Sequence, residues 1–295
     1  MSTNDPALVL RNFTPSHEFF VGIDSDGCVF DSMEIKHKEC FTPMFIKYFG
    51  LQAVSKYARE VWEFVNLYSK SRGINRYPAL SNALNLLAAR PEVQARGVEV
   101  PSSDDLDAWM ARETKHTLAT LKAEIQERGN TALQPILDWS LAVDVQIHDI
   151  VHGVPPFPGV RDFLQRLRGR ADAMVISQTP GAALLREWSE HQLNDHIALI
   201  AGQEMGSKKD HLRLATRDKY APHNVLMIGD APGDFTAAKT NNALFYPITP
   251  GREDASWQRL LDEGLEAFFS GHYAGDYEAA LVREFNASLP EHPSW

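Results

Sequence analysis

Short apolar runs, each followed by a small or acidic polar residue, recur along the chain. Runs of this length are typical of strands that are buried on both faces of a parallel sheet. Four runs predict strands: Phe19–Ile23 before Asp24, Ala173–Ile176 before Ser177, Ala198–Ala201, and Val225–Ile228 before Gly229 and Asp230. We therefore expect one parallel sheet with polar groups at the ends of several strands.

Helical patterns separate the later strands. The residues from Gly181 to Gln192 and from Lys209 to Arg217 repeat apolar positions with helical spacing. Strands that alternate with helices predict an α/β fold with a Rossmann-like parallel sheet. In open parallel sheets, ligands bind beyond the carboxyl ends of the strands. The polar groups that follow the strands are therefore expected to converge on one crevice.

The segment from Met33 to His152 has a different pattern. It contains no strand candidate of comparable quality, and five stretches have helical periodicity: Ile35–Phe49, Ala53–Tyr68, Leu80–Ala89, Leu106–Arg128 and Thr131–Ile150. We predict an N-terminal tail (1–18), an α/β core (19–32 and 153–295) and an inserted all-helical domain (33–152). Within the core, two more surface helices are expected between Ala255 and Phe285.

The composition narrows the function classes. Of 295 residues, 44% are hydrophobic, and 39 acidic against 29 basic residues give a formal net charge of -10, which argues against nucleic-acid binding. No apolar stretch has the length of a membrane span or the form of a secretory signal, so no membrane partner is expected. With only Cys28 and Cys40, no disulfide framework is expected, and the sequence predicts a cytoplasmic protein. It carries no signal for an oligomeric state.

Candidate chemistry begins where the first predicted strand breaks into a glycine turn. Asp24 and Asp26 lie there, one residue apart. Two carboxylates about 4 Å apart repel by roughly 4 kcal/mol at an effective dielectric constant near 20. The pair therefore predicts a cation close by.

Three further features follow in order along the chain: Ser177 after the second strand, the lysines in Gly206–Asp210, and the acidic pair Asp230 and Asp234. With the first pair, they resemble the four motifs of the haloacid dehalogenase-like superfamily: a strand-end Asp-x-Asp, a strand-end Ser or Thr, a Lys, and a strand-end acidic pair. The resemblance covers roughly residues 17–31 and 156–250. The helical insertion resembles the family's helical cap in position and helicity only.

The resemblance implies phosphoryl transfer, and the chemistry of the residues agrees with it. An aspartate can attack phosphorus directly and form an acyl phosphate that water then cleaves, and Asp24 is the expected nucleophile. Asp26 is the expected general acid and base. Family members that displace halide or cleave phosphonates typically lack this second carboxylate, so Asp26 favours phosphate ester chemistry.

The remaining motif residues are expected to hold the phosphoryl group and a metal ion. Ser177 and a lysine would bind the phosphoryl oxygens. The sequence favours Lys208 only slightly over Lys209. Asp230, Asp24 and the backbone carbonyl of Asp26 would bind a divalent metal, with Asp234 beside them. An all-oxygen set indicates Mg²⁺ rather than Zn²⁺.

Other features allow simpler interpretations. Alone, an Asp-x-Asp or a Gly-Asp-x-x-x-Asp pattern is most often a turn or a helix cap, and Cys28 is interpreted as a packing residue. A basic loop in the insertion carries Lys70, Arg72 and Arg76. It is either a solvated connection or a contact for an anionic substrate.

The sequence therefore predicts a Mg²⁺-dependent phosphatase acting on a small phosphorylated metabolite. A phosphomutase of the same superfamily would keep the same motifs, so it remains an alternative. A non-catalytic protein that binds a phosphorylated ligand is a second alternative, although such a protein has no need for Asp26. The substrate has no signature in the sequence.

Overall fold

The computed structural model describes residues 5–295, so residues 1–4 of the predicted N-terminal tail lie outside the described part. The chain forms two compact units. The first, which we call the core unit, comprises residues up to Ser32 and Gly153–Leu289. The second, the helical unit, comprises Met33–His152 together with Pro290–Trp295.

The core unit contains a parallel five-stranded sheet in the order β3-β2-β1-β4-β5. Its strands are β1 Phe19–Ile23, β2 Ala171–Ile176, β3 Leu199–Ala201, β4 Val225–Gly229 and β5 Leu244–Pro247. The predicted α/β sheet is confirmed, and its four predicted strands are present. The sequence prediction missed β5, an edge strand that ends in a proline, which an edge position tolerates.

The helices follow the chain as α1 Leu8–Arg11, α2 Ser32–Ile35, α3 Thr42–Tyr48, α4 Ser55–Leu67, α5 Arg76–Ala89, α6 Pro91–Gln94, α7 Asp104–Arg112, α8 Leu118–Arg128, α9 Gln134–Ile150, α10 Val160–Leu167, α11 Gly181–Glu190, α12 Lys208–Thr216, α13 Pro232–Thr240, α14 Glu253–Arg259, α15 Leu265–Phe269 and α16 Asp276–Ser288. π-helical turns join α2 to α3 (Lys36–Phe41) and α14 to α15 (Leu260–Gly264).

Alternate residues of each strand face opposite layers of helices. On β1, Val21 and Ile23 belong to a cluster that includes Trp188 of α11 and Trp257 of α14. Phe20 faces the other way, into a cluster that contains residues of α12, α13 and α16. Because side chains alternate along a strand, an uninterrupted apolar run is needed to fill both layers. This three-layer packing explains the pattern of the sequence.

At the amino end of the sheet, Asp172 of β2 is surrounded by hydrogen-bond donors. Its Oδ2 accepts from the backbone N–H of Ser16 (2.9 Å), the backbone N–H of His17 (3.0 Å) and the hydroxyl of Tyr220 (2.6 Å). The Nδ1 of His17 lies 3.0 Å from Oδ1. Burial alone would raise the pKa of Asp172, but these hydrogen bonds outweigh it and hold the pKa below the ordinary value of 3.8.

The helical unit has an aromatic core of its own. The Trp62 ring lies 5.7 Å from that of Phe41, 5.0 Å from that of Phe45 and 5.7 Å from that of Trp139, measured between centroids. Burying each of these rings contributes about 1.5–3 kcal/mol or more. All regular elements described between Met33 and His152 are helical.

One predicted helix of this unit is wrong in extent. The periodicity predicts a continuous helix over Leu106–Arg128, but residues 113–117 separate α7 from α8. Thr117 caps α8, because its hydroxyl accepts from the backbone N–H of Thr120, while the Thr120 hydroxyl accepts from the backbone N–H of Thr117. Such a reciprocal cap starts a new helix inside an otherwise helical pattern.

The segment Pro290–Trp295 packs within the helical unit. The Pro290 carbonyl accepts a hydrogen bond from the backbone N–H of Lys70 at 3.1 Å. The Arg90 guanidinium lies between two rings, 4.5 Å from the centroid of Trp295 and 4.6 Å from that of Tyr57. Leu289, the residue just before this segment, is buried in the core unit.

In the described part of the chain, no helix is both long and apolar enough to cross a membrane.

Candidate active site

Asp24 lies directly beyond the carboxyl end of β1. Its backbone N–H continues the sheet by donating to the Ile228 carbonyl of β4 at 2.9 Å. The side chain is buried, and its Oδ1 accepts from the backbone N–H of Ser25 at 2.8 Å. Its Oδ2 accepts from the Nζ of Lys208 at 2.6 Å. The sheet therefore fixes the orientation of this carboxylate.

Lys208 is the first residue of α12, and its position follows from the helix cap. The Ser207 hydroxyl accepts from the backbone N–H of Asp210, whose carboxylate accepts in return from the backbone N–H of Ser207. The Nζ of Lys208 lies between Asp24 and Asp234, 2.7 Å from an oxygen of the latter. Lys209 is exposed. Of the two predicted lysines, the structure brings Lys208 to the carboxylates.

Asp230 lies in the turn after β4 and Asp234 in the first turn of α13, and both are buried. Gly229 makes this turn possible, because a Cβ at this position would lie 2.3–2.5 Å from the Asp234 side chain. The Oδ2 of Asp234 accepts from the backbone N–H of Ala231 at 3.1 Å, and its Oδ1 accepts from Lys208. Both Asp234 oxygens thus already bind protein donors.

The three buried carboxylates form a cluster. One oxygen each from Asp24, Asp230 and Asp234 lies within 4.8 Å of the others. Carboxylate oxygens are the ligands that Mg²⁺ prefers, so the donor set fits the ion that the family resemblance implies. Both oxygens of Asp24 and both oxygens of Asp234 already accept hydrogen bonds from the protein, so these bonds do not select among the three carboxylates. The ligand set of Asp24, Asp230 and the Asp26 carbonyl stays a prediction from the sequence.

The cluster carries more negative than positive charge. Burial raises the pKa of Asp24 well above its ordinary value; the positive charge of Lys208 opposes the shift, and the charges of Asp234 and Asp230 add to it. Burial likewise raises the pKa of Asp234 against the effect of Lys208. For Lys208, burial alone would lower the pKa, but the carboxylates raise it above its ordinary value. One lysine among three carboxylates leaves an excess of negative charge that a bound cation would neutralise.

Asp26 follows on the same turn, where Gly27 has a φ of 74°. Two hydroxyl groups hold its carboxylate: Thr179 donates to Oδ2 at 2.7 Å, and Ser32 donates to Oδ1. Reasoning from the sequence did not select either hydroxyl residue. The signal for Thr179 was its place two residues after Ser177, in a loop that follows a buried strand.

Ser177 is buried at the carboxyl end of β2. Its backbone N–H donates to the Ala201 carbonyl of β3 at 3.0 Å, and its Oγ accepts from the backbone N–H of Thr179 at 3.2 Å. The carboxyl ends of β1, β2 and β4 and the first turn of α12 thus supply the predicted core residues.

The predicted residues of the basic loop lie within the helical unit. Arg72 is buried and donates to the Leu67 carbonyl at 2.9 Å. The Nη1 of Arg76 donates to the carboxylate of Asp144 (2.7 Å) and to the hydroxyl of Ser140 (2.9 Å). Arg76 therefore has a structural role in joining α5 to α9. A substrate contact by Lys70, Arg72 or Arg76 stays a prediction.

Cys28 lies close to the cluster in sequence but is not suited to nucleophilic chemistry. Its side chain is buried and forms no disulfide. Burial, reinforced by the charges of Asp230, Asp24 and Asp234, raises the pKa of this thiol well above its ordinary value. A thiol is a poor nucleophile when it stays protonated. The packing role expected from the sequence agrees with this environment.

Several solved structures resemble the chain at low sequence identity. A haloacid dehalogenase-like family hydrolase from Streptococcus pneumoniae is 12% identical, with a TM-score of 0.43 over 81% of this chain and 90% of that one. A HAD-superfamily hydrolase of subfamily IA, variant 1, from Geobacter sulfurreducens is 17% identical, with a TM-score of 0.40 over 79% and 88%. CbbY from Rhodobacter sphaeroides, solved in complex with phosphate, is 15% identical, with a TM-score of 0.45 over 77% and 85%. No curated protein sequence matches the chain.

A family model gives the assignment. The model described as haloacid dehalogenase-like hydrolase matches residues 74–246, which is more than half of the chain. The match begins after Asp24 and Asp26, so the first motif is independent of it. The family expected from the sequence motifs is confirmed: the chain belongs to the haloacid dehalogenase-like hydrolases.

Proposed function

We propose that this hydrolase is a Mg²⁺-dependent phosphatase that cleaves a small phosphorylated metabolite through an aspartyl-phosphate on Asp24. The observation that carries the proposal is the pairing of two unlike carboxylates on one turn. Asp24 is buried beside Lys208, whereas Asp26 is less buried and held by two hydroxyls. A nucleophile and a proton donor need such different environments.

The expected reaction has two steps. In the first, an oxygen of Asp24 bonds to phosphorus while the bond from phosphorus to the ester oxygen breaks, and Asp26 gives a proton to the departing oxygen. In the second, water attacks phosphorus and gives a proton to Asp26. The bond between phosphorus and Asp24 breaks, which releases inorganic phosphate and restores both carboxyl groups.

The other core residues would bind the phosphoryl group. The Nζ of Lys208 is a compact positive charge beside the attacking carboxylate, and Ser177 offers a hydroxyl at the end of the neighbouring strand. Both would stabilise negative charge on the phosphoryl oxygens. Asp234 holds Lys208 in place through its own hydrogen bond.

Asp24, Asp230 and the backbone carbonyl of Asp26 would hold the Mg²⁺ ion. When bound, the ion supplies positive charge that offsets both the clustered carboxylates and the phosphoryl oxygens. The helical unit is the proposed cap, which would select the leaving group. A cytoplasmic location is part of the same proposal and rests on cysteine usage.

A product analysis tests the proposal. The protein would be incubated with Mg²⁺ and a panel of phosphate esters that includes sugar phosphates, while free phosphate and isomerised sugar phosphate are both followed. A phosphatase releases phosphate, whereas the alternative phosphomutase yields an isomer and little free phosphate. We expect Asp24→Asn to abolish phosphate release and the exposed control Asp105→Asn to retain it. Activity that survives in D24N, or no turnover of any ester by the wild type, would contradict the proposal.

A further inference from the structure

We infer that Thr179 is a positioning residue for Asp26, which it orients for proton transfer to the leaving group. This inference rests on the proposed function. The observation behind it is the hydrogen bond from the Thr179 hydroxyl to the Oδ2 of Asp26, at 2.7 Å. It links two loops that are distant in sequence, one after β1 and the other after β2.

The backbone of Thr179 is fixed on both sides. Its N–H donates to the Oγ of Ser177 at 3.2 Å, and its carbonyl accepts from the backbone N–H of Gln203 at 3.1 Å. Threonine is β-branched, so its side chain has few accessible rotamers once the backbone is fixed. The hydroxyl is therefore aimed at Asp26 by the core unit itself.

The two hydroxyls restrain the Asp26 carboxyl group together. Because Ser32 donates to Oδ1 and Thr179 to Oδ2, rotation about the Cβ–Cγ bond would break both hydrogen bonds. Ser32 is the last residue of the core unit before the helical unit begins, whereas Thr179 lies wholly inside the core unit. Thr179 is thus the restraint that does not depend on the chain entering the helical unit.

A hydroxyl suits this task in both protonation states of Asp26. It donates to a carboxylate and can accept from a carboxylic acid, so it can keep its contact while the proton leaves and returns. Misplacing a catalytic group by about 1 Å can cost roughly 100-fold in rate. Loss of the hydroxyl should therefore weaken proton transfer while Asp24 and Lys208 remain in place.

The leaving group provides the test. A poor leaving group such as phenol needs a proton in the first step, whereas p-nitrophenol departs readily as an anion. We would measure kcat/KM, which reports the first step, for phenyl phosphate and p-nitrophenyl phosphate with Mg²⁺ present. For Thr179→Val, which keeps the shape and removes the hydroxyl, we expect kcat/KM to fall by about 30- to 100-fold for phenyl phosphate. For p-nitrophenyl phosphate, we expect a fall at least about tenfold smaller.

Three comparisons separate positioning from a structural effect. Thr179→Ser should restore the wild-type ratio between the two substrates, and Asp26→Asn should change the ratio in the same direction as T179V, by more. The control Thr216→Val removes a buried hydroxyl that donates to the Leu212 carbonyl at 2.7 Å, and it should leave the ratio unchanged. Thermal unfolding of each variant reports any loss of folded protein.

The outcomes are distinct. Equal losses for the two substrates in T179V, or no loss, would overturn the inference while the proposed function stands, provided that the wild type is active and D24N is not. Failure of T179S to restore the ratio would also overturn it. If the wild type hydrolyses neither ester, the proposed function and the inference fall together.

Discussion

Each end of the core sheet buries an aspartate, and the two environments shift the pKa of that aspartate in opposite directions. At the amino end, Asp172 is surrounded by backbone, imidazole and phenol donors that lower its pKa. At the carboxyl end, Asp24 shares one lysine with other acids, and burial raises its pKa. Four donor groups surround the first carboxylate, whereas the second has two, and one of these, Lys208, also binds Asp234.

The difference separates a structural carboxylate from a candidate catalytic one. A buried charge with enough donors stabilises the fold, because its hydrogen bonds exceed the cost of leaving water. Clustered acids with one shared cation raise the free energy of the folded protein unless a further positive charge binds. Burial and acidity alone do not distinguish the two cases; the number of donors around each carboxylate does.

Matched substitutions at the two ends should have opposite consequences. We expect Asp230→Asn to lower kcat/KM by at least about 100-fold, since it removes a proposed metal ligand, without lowering the free energy of unfolding. Asp172→Asn should lower the free energy of unfolding by about 2 kcal/mol, because an amide cannot accept from all the donors, and leave kcat/KM of the folded enzyme unchanged. Urea unfolding and phosphate release measure the two effects. A large stability loss in D230N would remove the distinction between the ends.

Mg²⁺ should stabilise the folded protein through the carboxyl end of the sheet and not through the amino end. At a concentration 100 times its Kd, the ion should raise the free energy of unfolding of the wild type by about 2.7 kcal/mol. D172N should gain the same increment, whereas D230N should gain little or none. Urea unfolding with and without Mg²⁺ measures the increments, and Ca²⁺ serves as a second oxygen-preferring ion. Equal gains in D172N and D230N would place the ion elsewhere.

The smallest effect concerns the phenol at the amino end. Tyr220→Phe removes one donor to Asp172 and should lower the free energy of unfolding by about 1 kcal/mol near pH 7. Because the folded-state pKa of Asp172 lies below 3.8, the stability it contributes is present above about pH 4 and is lost as the pH falls through the folded-state pKa. The difference between wild type and Y220F should therefore shrink at acid pH.

Urea unfolding between pH 3 and pH 7 follows this difference. The matched control is Tyr273→Phe, which removes a buried phenol hydroxyl that donates to the neutral Phe245 carbonyl at 2.8 Å. Its cost should not depend on pH over this range. A difference between wild type and Y220F that stays constant with pH would show that the phenol does not act through the charge of Asp172.

The sequence predicted most of the core because local pattern and buried environment agree there. The bounds of β1 match the predicted ones, since its uninterrupted apolar run has a charged residue on each side. The break between α7 and α8 was missed, because apolar periodicity continues across it and only the Thr117 cap marks it. Element ends depend on caps more than on periodicity.

In the candidate site, too, local sequence patterns predicted some features and missed others. The sequence favoured Lys208 only slightly over Lys209, although Ser207 and Asp210 have the spacing of a capping box and so place Lys208 at the start of a helix. The hydrogen bond from Thr179 to Asp26 could not be predicted from the sequence, because it joins loops that follow different strands. Contacts of this kind depend on strand order, and no local pattern records that order.

The segment Pro290–Trp295 has a consequence for biosynthesis. The helical unit is encoded mainly by Met33–His152, yet the second ring over Arg90 belongs to Trp295. Because translation starts at the amino end, the ribosome synthesises all five strands of the sheet before it adds Trp295. The helical unit therefore cannot complete its own packing when its helices first emerge, and its last contacts form after the core unit has been synthesised.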